Sequence, residues 1–320
     1  MSYSAQTDRF VHDRLPPPEQ WPRISYDLSE LQLLAQVNLV QALFEGVARR
    51  GLGDRPLLRS PRRTLSYAQA RIEVARLAQA LVEDYGLVPG NRVLLRGGNS
   101  IGMALAWLAV VQAGAVAVAT MPLLRAKELI EIIDKSQPTL ALCDERLLGE
   151  LQQAQAQQPG LQTLVSFDSL HQSGQLALAA ARYDGQHPAC ATAADDIALL
   201  AFTSGTTGVP KGTLHFHRDV LAICDVLSRH LLDPQPSDVF IGTPPLAFTF
   251  GLGGLLLFPL RVGAAAVLVE RWNPQTLVQG IAQHQATVCF TAPTFYRQMA
   301  PLILAGGLPS LRVTVSSGEM

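Results

Sequence analysis

Charge is scarce in this chain. Asp, Glu, Lys and Arg make up 16% of its residues, against a usual share of about 25%. The signs nearly cancel: 25 Lys+Arg face 26 Asp+Glu, for a formal net charge of −1. A protein that tracks nucleic-acid phosphates carries a basic excess, so that class is excluded. Cysteine is scarce too. Cys143, Cys190, Cys224 and Cys289 are four in 320 residues, and no two form a C-x-x-C pair. That excludes a disulfide scaffold and speaks against a zinc site; a reducing, cytoplasmic setting is expected. The first residues, Met1 to Phe10, lack a basic segment followed by an apolar one, so no secretory signal is read. What the chain does have is 48% hydrophobic residues in 34.5 kDa. That is enough for a sizeable core and excludes wholesale disorder.

Two long stretches carry no charge at all, Gly97 to Leu124 and Val239 to Leu260. Each is long enough to cross a bilayer, which takes about 20 apolar residues. Both are broken inside. Gln112, Gly114 and Pro122 interrupt the first, and Pro244-Pro245 the second. The first parses as a buried helix over Ile101–Ala113, a glycine turn and a buried strand over Val116–Thr120. No membrane association is expected.

Residues 1–37 read as an irregular arm, with Pro16-Pro17-Pro18 and Trp21-Pro22 opposing regular structure. From Asn38 onward, short apolar strands alternate with helices. Strands are predicted at 92–95, 116–120, 139–143, 197–203, 239–243, 265–269, 287–290 and 312–315. Helices are predicted from Asn38, from Ser66 with Gln69 completing a capping box, and over 126–135, 218–231, 249–260, 274–284 and 294–304. Asn273-Pro274 is a helix start, with Asn as the cap and Pro in the first turn. Residues 171–194 show little pattern and read as a connection. The alternation predicts an α/β fold of two mainly parallel, helix-flanked sheets. The chain is divided as arm 1–37, a first α/β sub-domain 38–190 and a second 191–320. Ligands in such sheets bind beyond the carboxyl ends of the strands.

One loop lies at such an edge: Ala201-Phe-Thr-Ser-Gly-Thr-Thr-Gly-Val-Pro-Lys-Gly212. Its glycines let backbone N–H groups turn inward. Thr203, Ser204, Thr206 and Thr207 add hydroxyls, and Lys211 adds a cation. Donors plus one positive charge on a flexible loop suit a polyphosphate. The loop is not a P-loop of the form G-x-x-x-x-G-K-[ST]. Counting from Gly205, Pro210 stands where the second glycine belongs and Gly212 where the final hydroxyl belongs.

Thr203 to Gly212 resembles the signature of the adenylate-forming superfamily of acyl-CoA ligases, peptide-synthetase adenylation domains and luciferase. Gly53-Asp-Arg-Pro56, Leu65-Ser-Tyr67, Pro89-Gly-Asn-Arg-Val93, Gln112-Ala-Gly-Ala-Val116 and Met121 to Leu129 follow that family's usual order. The resemblance runs over residues 38–320. It implies that a carboxylate is joined to ATP with release of pyrophosphate, and that a thiol, often coenzyme A, then displaces AMP. It assigns Thr203, Ser204, Gly205, Thr206, Thr207, Gly208 and Lys211 to the ATP phosphates, with Thr206 and Lys211 in catalytic roles. Magnesium would be carried in with ATP. Gly318 and Glu319 would neighbour the adenine.

Pro244-Pro-Leu-Ala-Phe-Thr-Phe-Gly-Leu-Gly-Gly254 resembles the family's next motif, with Phe248 where many fatty acyl ligases have histidine. In this the chain resembles benzoate and 2-aminobenzoate ligases. The arm segment Leu15–Pro22 and the string Gly212–Val220 resemble 2-aminobenzoate–CoA ligases in particular. An aromatic acid is therefore expected, with Phe248, Thr249, Phe250 and Tyr296 as its contacts. His217 matches the family's histidine after the phosphate loop and is expected to organise the junction into the next helix. His215 is expected to pack locally, and the two histidines are not expected to hold a metal. The partners implied are an aromatic acid, ATP and coenzyme A, with no nucleic acid and no membrane; a homodimer is compatible. Two alternatives stay open: an aryl-AMP ligase that loads a carrier protein, and a non-catalytic nucleotide-binding fragment. The family pattern continues well past Met320, so the chain is expected to be the N-terminal portion of the enzyme, with little or no turnover by itself.

Overall fold

A computed structural model describes residues 3–25, 27–32, 34–203, 210–303 and 307–318. Twelve strands build two sheets of six. In chain order they are β1 (Pro56–Arg59), β2 (Thr64–Ser66), β3 (Arg92–Arg96), β4 (Val116–Thr120), β5 (Leu140–Asp144), β6 (Thr163–Phe167), β7 (Ile197–Thr203), β8 (Lys211–Phe216), β9 (Val239–Gly242), β10 (Ala265–Val267), β11 (Val288–Thr291) and β12 (Val313–Ser316). The first sheet runs β6-β5-β3-β4-β7-β8 and the second β12-β11-β9-β10-β1-β2. Pairing is parallel throughout, except that β8 returns against β7 and β2 against β1. The expected α/β class with two mainly parallel sheets is what forms.

Helices α1 (Leu39–Ala48), α2 (Tyr67–Glu83), α3 (Ile101–Gln112), α4 (Ala126–Ser136), α5 (Leu148–Gln155) and α6 (Gly174–Ala180) belong to the first half. In the second half α7 (His217–Ile223) runs on as a π-helical stretch over Cys224–Leu232. α8 (Thr249–Leu252) passes through another, Gly253–Leu257, into α9 (Phe258–Val262). α10 (Pro274–His284) and α11 (Pro293–Met299) complete the set. The helices expected at 218–231 and 249–260 thus form with wider winding in part. At the second, Gly253-Gly254 presents no side chain to oppose that winding, and the Phe290 ring packs directly on Gly254.

Local signals act as read. Ser66 Oγ accepts from Gln69 N–H at 3.2 Å, and Gln69 Oε1 accepts from Ser66 N–H at 2.9 Å. Asn273 caps α10 through Thr276 N–H at 2.8 Å, with Pro274 in the first turn. Every residue of α3 is buried, which explains its lack of charge. Among the described residues no helix is long and apolar enough to cross a membrane.

The core falls into three clusters that follow the strand alternation. Val93 and Leu95 of β3 face a central cluster with Trp107 of α3, which continues to Phe240 and Phe290 of the second sheet. Leu94 faces the other way, toward Leu129, Ile132 and Ile133 of α4. On the far side of the second sheet, Ile241 and Cys289 pack on Leu277 and Ile281 of α10. Both sheets are therefore covered on both faces.

Four short strands, β1, β2, β6 and β8, and helix α6 were not anticipated from local pattern. β2, β6 and β8 are edge strands with half-exposed sequences. Pairing rather than hydrophobic periodicity makes them strands. The chain also crosses between sheets. β1 and β2 join the second sheet, and β7 and β8 join the first. A cut at residue 190 does not separate the sheets.

The arm contains three single 3₁₀ turns, at His12–Arg14, Pro18–Gln20 and Ser29–Leu31. It is tied to the base of the β7–β8 hairpin. Gln6 Nε2 donates to Ile197 O at 2.8 Å, and Ile197 N–H donates back to Gln6 Oε1 at 3.2 Å. Ala5 N–H donates to the buried Asp196 carboxylate at 3.0 Å. The Trp21 ring lies 5.7 Å from that of Phe216.

Candidate active site

β7 and β8 form an antiparallel hairpin whose connecting loop carries the signature residues. Thr203 is paired directly with Lys211 across the hairpin mouth. Thr203 Oγ1 donates to Lys211 O at 3.4 Å, and both residues are exposed. Ser204, Gly205, Thr206, Thr207 and Gly208 lie outside the described residues, as does Glu319. Lys135 Nζ, at the end of α4, donates to Pro210 O beside the loop. Nothing local singles out Lys135, since a lysine in a last helical turn reads as a complement to the helix dipole.

A cavity of about 380 Å³ lies against this hairpin. One wall is β7–β8, a second is α7, and the third is the segment 247–252. Phe248 and Thr249 line it, together with Thr203 from the hairpin mouth and the apolar Val220 and Ile223 of α7. Phe248 is 45% exposed, unusual for a large apolar ring, and its exposed surface faces this space. Of the four expected acid contacts, the structure brings two to the cavity. Phe250 instead packs on Phe290, ring centroids 5.3 Å apart, against the central core. Tyr296 places its hydroxyl 2.7 Å from Cys289 O and 3.3 Å from Val315 O, within β11 and β12. Burial pushes its pKa up, and it joins two strands rather than lining the cavity. Gly318 lies just past β12, with φ of +95°, a left-handed backbone suited to glycine.

The segment that carries Phe248 is held from the other sheet. Asn99, buried in the turn between β3 and α3, donates from Nδ2 to Pro244 O at 2.9 Å. Its Oδ1 accepts from Leu246 N–H at 2.7 Å. Both functions of the amide are used, so its position is defined. Nothing in the local sequence pointed to Asn99 as a positioning residue.

His217 opens α7 and is fully buried. Its Nδ1 accepts the Leu39 N–H at 3.0 Å, serving an otherwise unpaired donor at the start of α1. The ring proton is therefore on Nε2, which has no hydrogen-bond partner among the described residues. Burial pushes the pKa down to about 4. An unfolded histidine titrates near 6.5. Between those values the unfolded chain takes up a proton that the folded chain refuses. The stability tied to His217 is complete above about pH 6.5 and is lost as pH falls toward 4. Urea unfolding should report about 2 kcal/mol less stability at about pH 5 than at about pH 7 from this group. His217→Gln should flatten that slope; an equally steep slope in the variant would refute the assignment. His215 is at the end of β8 and His217 at the start of α7, so the two do not share a strand face. Among the described residues no group of three metal-ligating side chains gathers.

A family model described as AMP-binding enzyme matches residues 44–320, most of the chain and both sheets. The chain belongs to that family. Among relatives of the chain is the benzoate–CoA ligase of Thauera aromatica, 31% identical over 257 residues, covering 79% of the chain and 49% of that protein. Among solved structures, the anthranilate–CoA ligase AuaEII in complex with anthranoyl-AMP superposes with a TM-score of 0.82 at 26% identity. It covers 91% of the chain and 56% of that protein. ATP-bound MatB from Rhodopseudomonas palustris superposes with a TM-score of 0.78 at 26% identity, over 88% of the chain and 55% of its own. The chain spans about half the length of the curated relatives it matches.

Proposed function

We propose that this chain forms the acid- and ATP-binding half of an aryl-CoA ligase. The reaction activates an aromatic carboxylate, benzoate or 2-aminobenzoate, with ATP. A carboxylate oxygen bonds to the α-phosphorus and pyrophosphate leaves. The thiol of coenzyme A then attacks the acyl carbon, and AMP leaves with the bonding electrons. The observation that carries this reading is the cavity that joins the exposed Phe248 ring to the mouth of the Thr203–Lys211 hairpin. Its volume of about 380 Å³ suits a small ligand, and an aromatic wall favours a flat ring.

In this reading Thr203, Ser204, Gly205, Thr206, Thr207 and Gly208 donate hydrogen bonds to the ATP phosphates. Lys211 and Thr206 oppose the charge that builds as pyrophosphate departs. Gly318 and Glu319 lie beside the adenine. Magnesium would arrive held by the phosphates of ATP. Phe248 and Thr249 bound the acid; Phe250 supports them from the core.

ATP titration of the 320-residue chain by calorimetry tests this. A charge-assisted contact is worth about 1.5–3 kcal/mol, so Lys211→Ala should weaken ATP binding by about 10- to 100-fold. Equal affinity in the variant would remove Lys211 from the phosphate site. Because the chain spans about half the length of those relatives, it is expected to bind ATP and acid with little or no formation of the thioester. Full unaided ligase activity would contradict that division of labour.

A further inference from the structure

The cavity beside Phe248 has a polar corner that the aromatic-acid reading leaves unused. Thr213 and His215 of β8 and Asp219 of α7 form it. Thr213 Oγ1 donates its single proton to Ala201 O at 3.1 Å. Toward His215 Nε2, 3.4 Å away, it can therefore only accept. That places the imidazole proton on Nε2 and leaves Nδ1 a bare acceptor. Nδ1 makes no hydrogen bond among the described residues. Burial also lowers the His215 pKa, which favours this neutral ring. Asp219 spends one oxygen on the Phe216 N–H at 3.0 Å. Its other oxygen forms an ion pair with Arg218 Nε at 3.6 Å, too long for a hydrogen bond, and so can still accept one.

The strand register places this corner away from the phosphate loop. Lys211 pairs with Thr203 at the loop, Thr213 with Ala201 below it, and His215 with Leu199 below that. An acid whose carboxylate is turned toward the loop points its ring at His215. The corner then offers two acceptors, and an apolar ring edge would leave His215 Nδ1 desolvated and without a hydrogen bond, and Asp219 with only its ion pair to Arg218.

We propose that His215 Nδ1 and the Asp219 carboxylate form an acceptor pair that selects aromatic acids bearing a hydrogen-bond donor, an amino or hydroxyl group, on the ring. This rests on the aromatic-acid reading of the same cavity. It makes His215 and Asp219 specificity-determining residues. A site built to receive an N–H or O–H discriminates against the analogue that lacks it, because its own polar groups are left unpaired.

The test is binding of benzoate and of its 2-, 3- and 4-amino derivatives to the whole 320-residue chain, by calorimetry. The best aminobenzoate is expected to bind about tenfold more tightly than benzoate, the effect of one additional well-placed hydrogen bond. In His215→Phe that preference should vanish. In His215→Asn, which restores an acceptor oxygen, it should partly return. Asp219→Asn keeps an oxygen for the Phe216 N–H and should reduce the preference severalfold; it serves also if His215→Phe does not fold. A preference missing in the parent chain, or intact in both the His215→Phe and Asp219→Asn variants, overturns the proposal while leaving the aromatic-acid reading standing. If the parent chain binds none of these acids, the aromatic-acid reading itself fails, and this inference with it.

Discussion

Replacing Arg96 with methionine is expected to destabilise the protein by about 3–5 kcal/mol. Arg96 ends β3 with only 1% of its surface exposed. It has no carboxylate partner among the described residues. Its guanidinium instead donates to four main-chain carbonyls: Leu147 at 3.4 Å, Met121 at 3.1 Å, Pro122 at 3.1 Å and Leu124 at 2.8 Å. Burial lowers its pKa, but arginine begins so high that the charge is retained. The four acceptors come from the turns that follow β4 and β5, so one side chain gathers the carboxyl edge of the first sheet. Methionine fills the volume and supplies no donor, so these carbonyls lose the guanidinium, and of the four Met121 O keeps the Leu124 N–H at 3.1 Å. Lysine keeps the charge but cannot reproduce the planar fork, and should recover less than half of the loss. Urea unfolding midpoints measure both. A loss under about 1 kcal/mol for Arg96→Met would mean that water reaches these carbonyls.

Gly251→Ala is expected to cost about 3 kcal/mol or more and to abolish binding of the aromatic acid proposed for the cavity. A Cβ at this position would lie 2.1 Å from Pro245 O and 2.5 Å from Pro244 O. Both contacts are main chain, which cannot swing aside as a side chain would. α8 would have to lift off the Pro244-Pro245 backbone, although Asn99 holds that backbone from the other side. Phe248 and Thr249 sit between these two anchors, so the shift would displace the cavity wall directly. Thermal unfolding and acid titration on the same sample separate the two consequences. Normal stability together with normal acid affinity would show that the segment is free to move and is not clamped as described.

The loop proposed to bind phosphates was legible because its chemistry is dense. Hydroxyls, glycines and one lysine crowd into Thr203–Gly212, and few other roles need that mixture. Phe248 was legible through its place in a short, recognisable motif. Phe250 was expected beside it, but two residues along a beginning helix point in different directions, and only Phe248 meets the cavity. Tyr296 follows Pro293 at the start of α11, and its hydroxyl reaches the main chain of β11 and β12 instead. Nothing local marks that choice, since an aromatic at a helix start serves a pocket or a core equally well.

Caps, breaks and strand-to-helix alternation could be read directly because they act between residues a few positions apart. Ser66 with Gln69 and Asn273 with Pro274 need no knowledge of the rest of the fold. The buried character of α3 follows from its composition alone. Sheet membership does not. β1 lies beside β10, and their paired residues, Leu58 and Ala266, come from opposite ends of the chain. Asn99 meets Pro244 across 145 positions, and Gln6 meets Ile197 across 191. His215 and Asp219 share a corner with Phe248 only because the β7–β8 hairpin, α7 and the segment after β9 converge there. Such contacts are set when covered faces and carboxyl edges come together. They leave no periodic mark on the chain, because each partner, taken alone, is an ordinary residue of a turn, strand or helix.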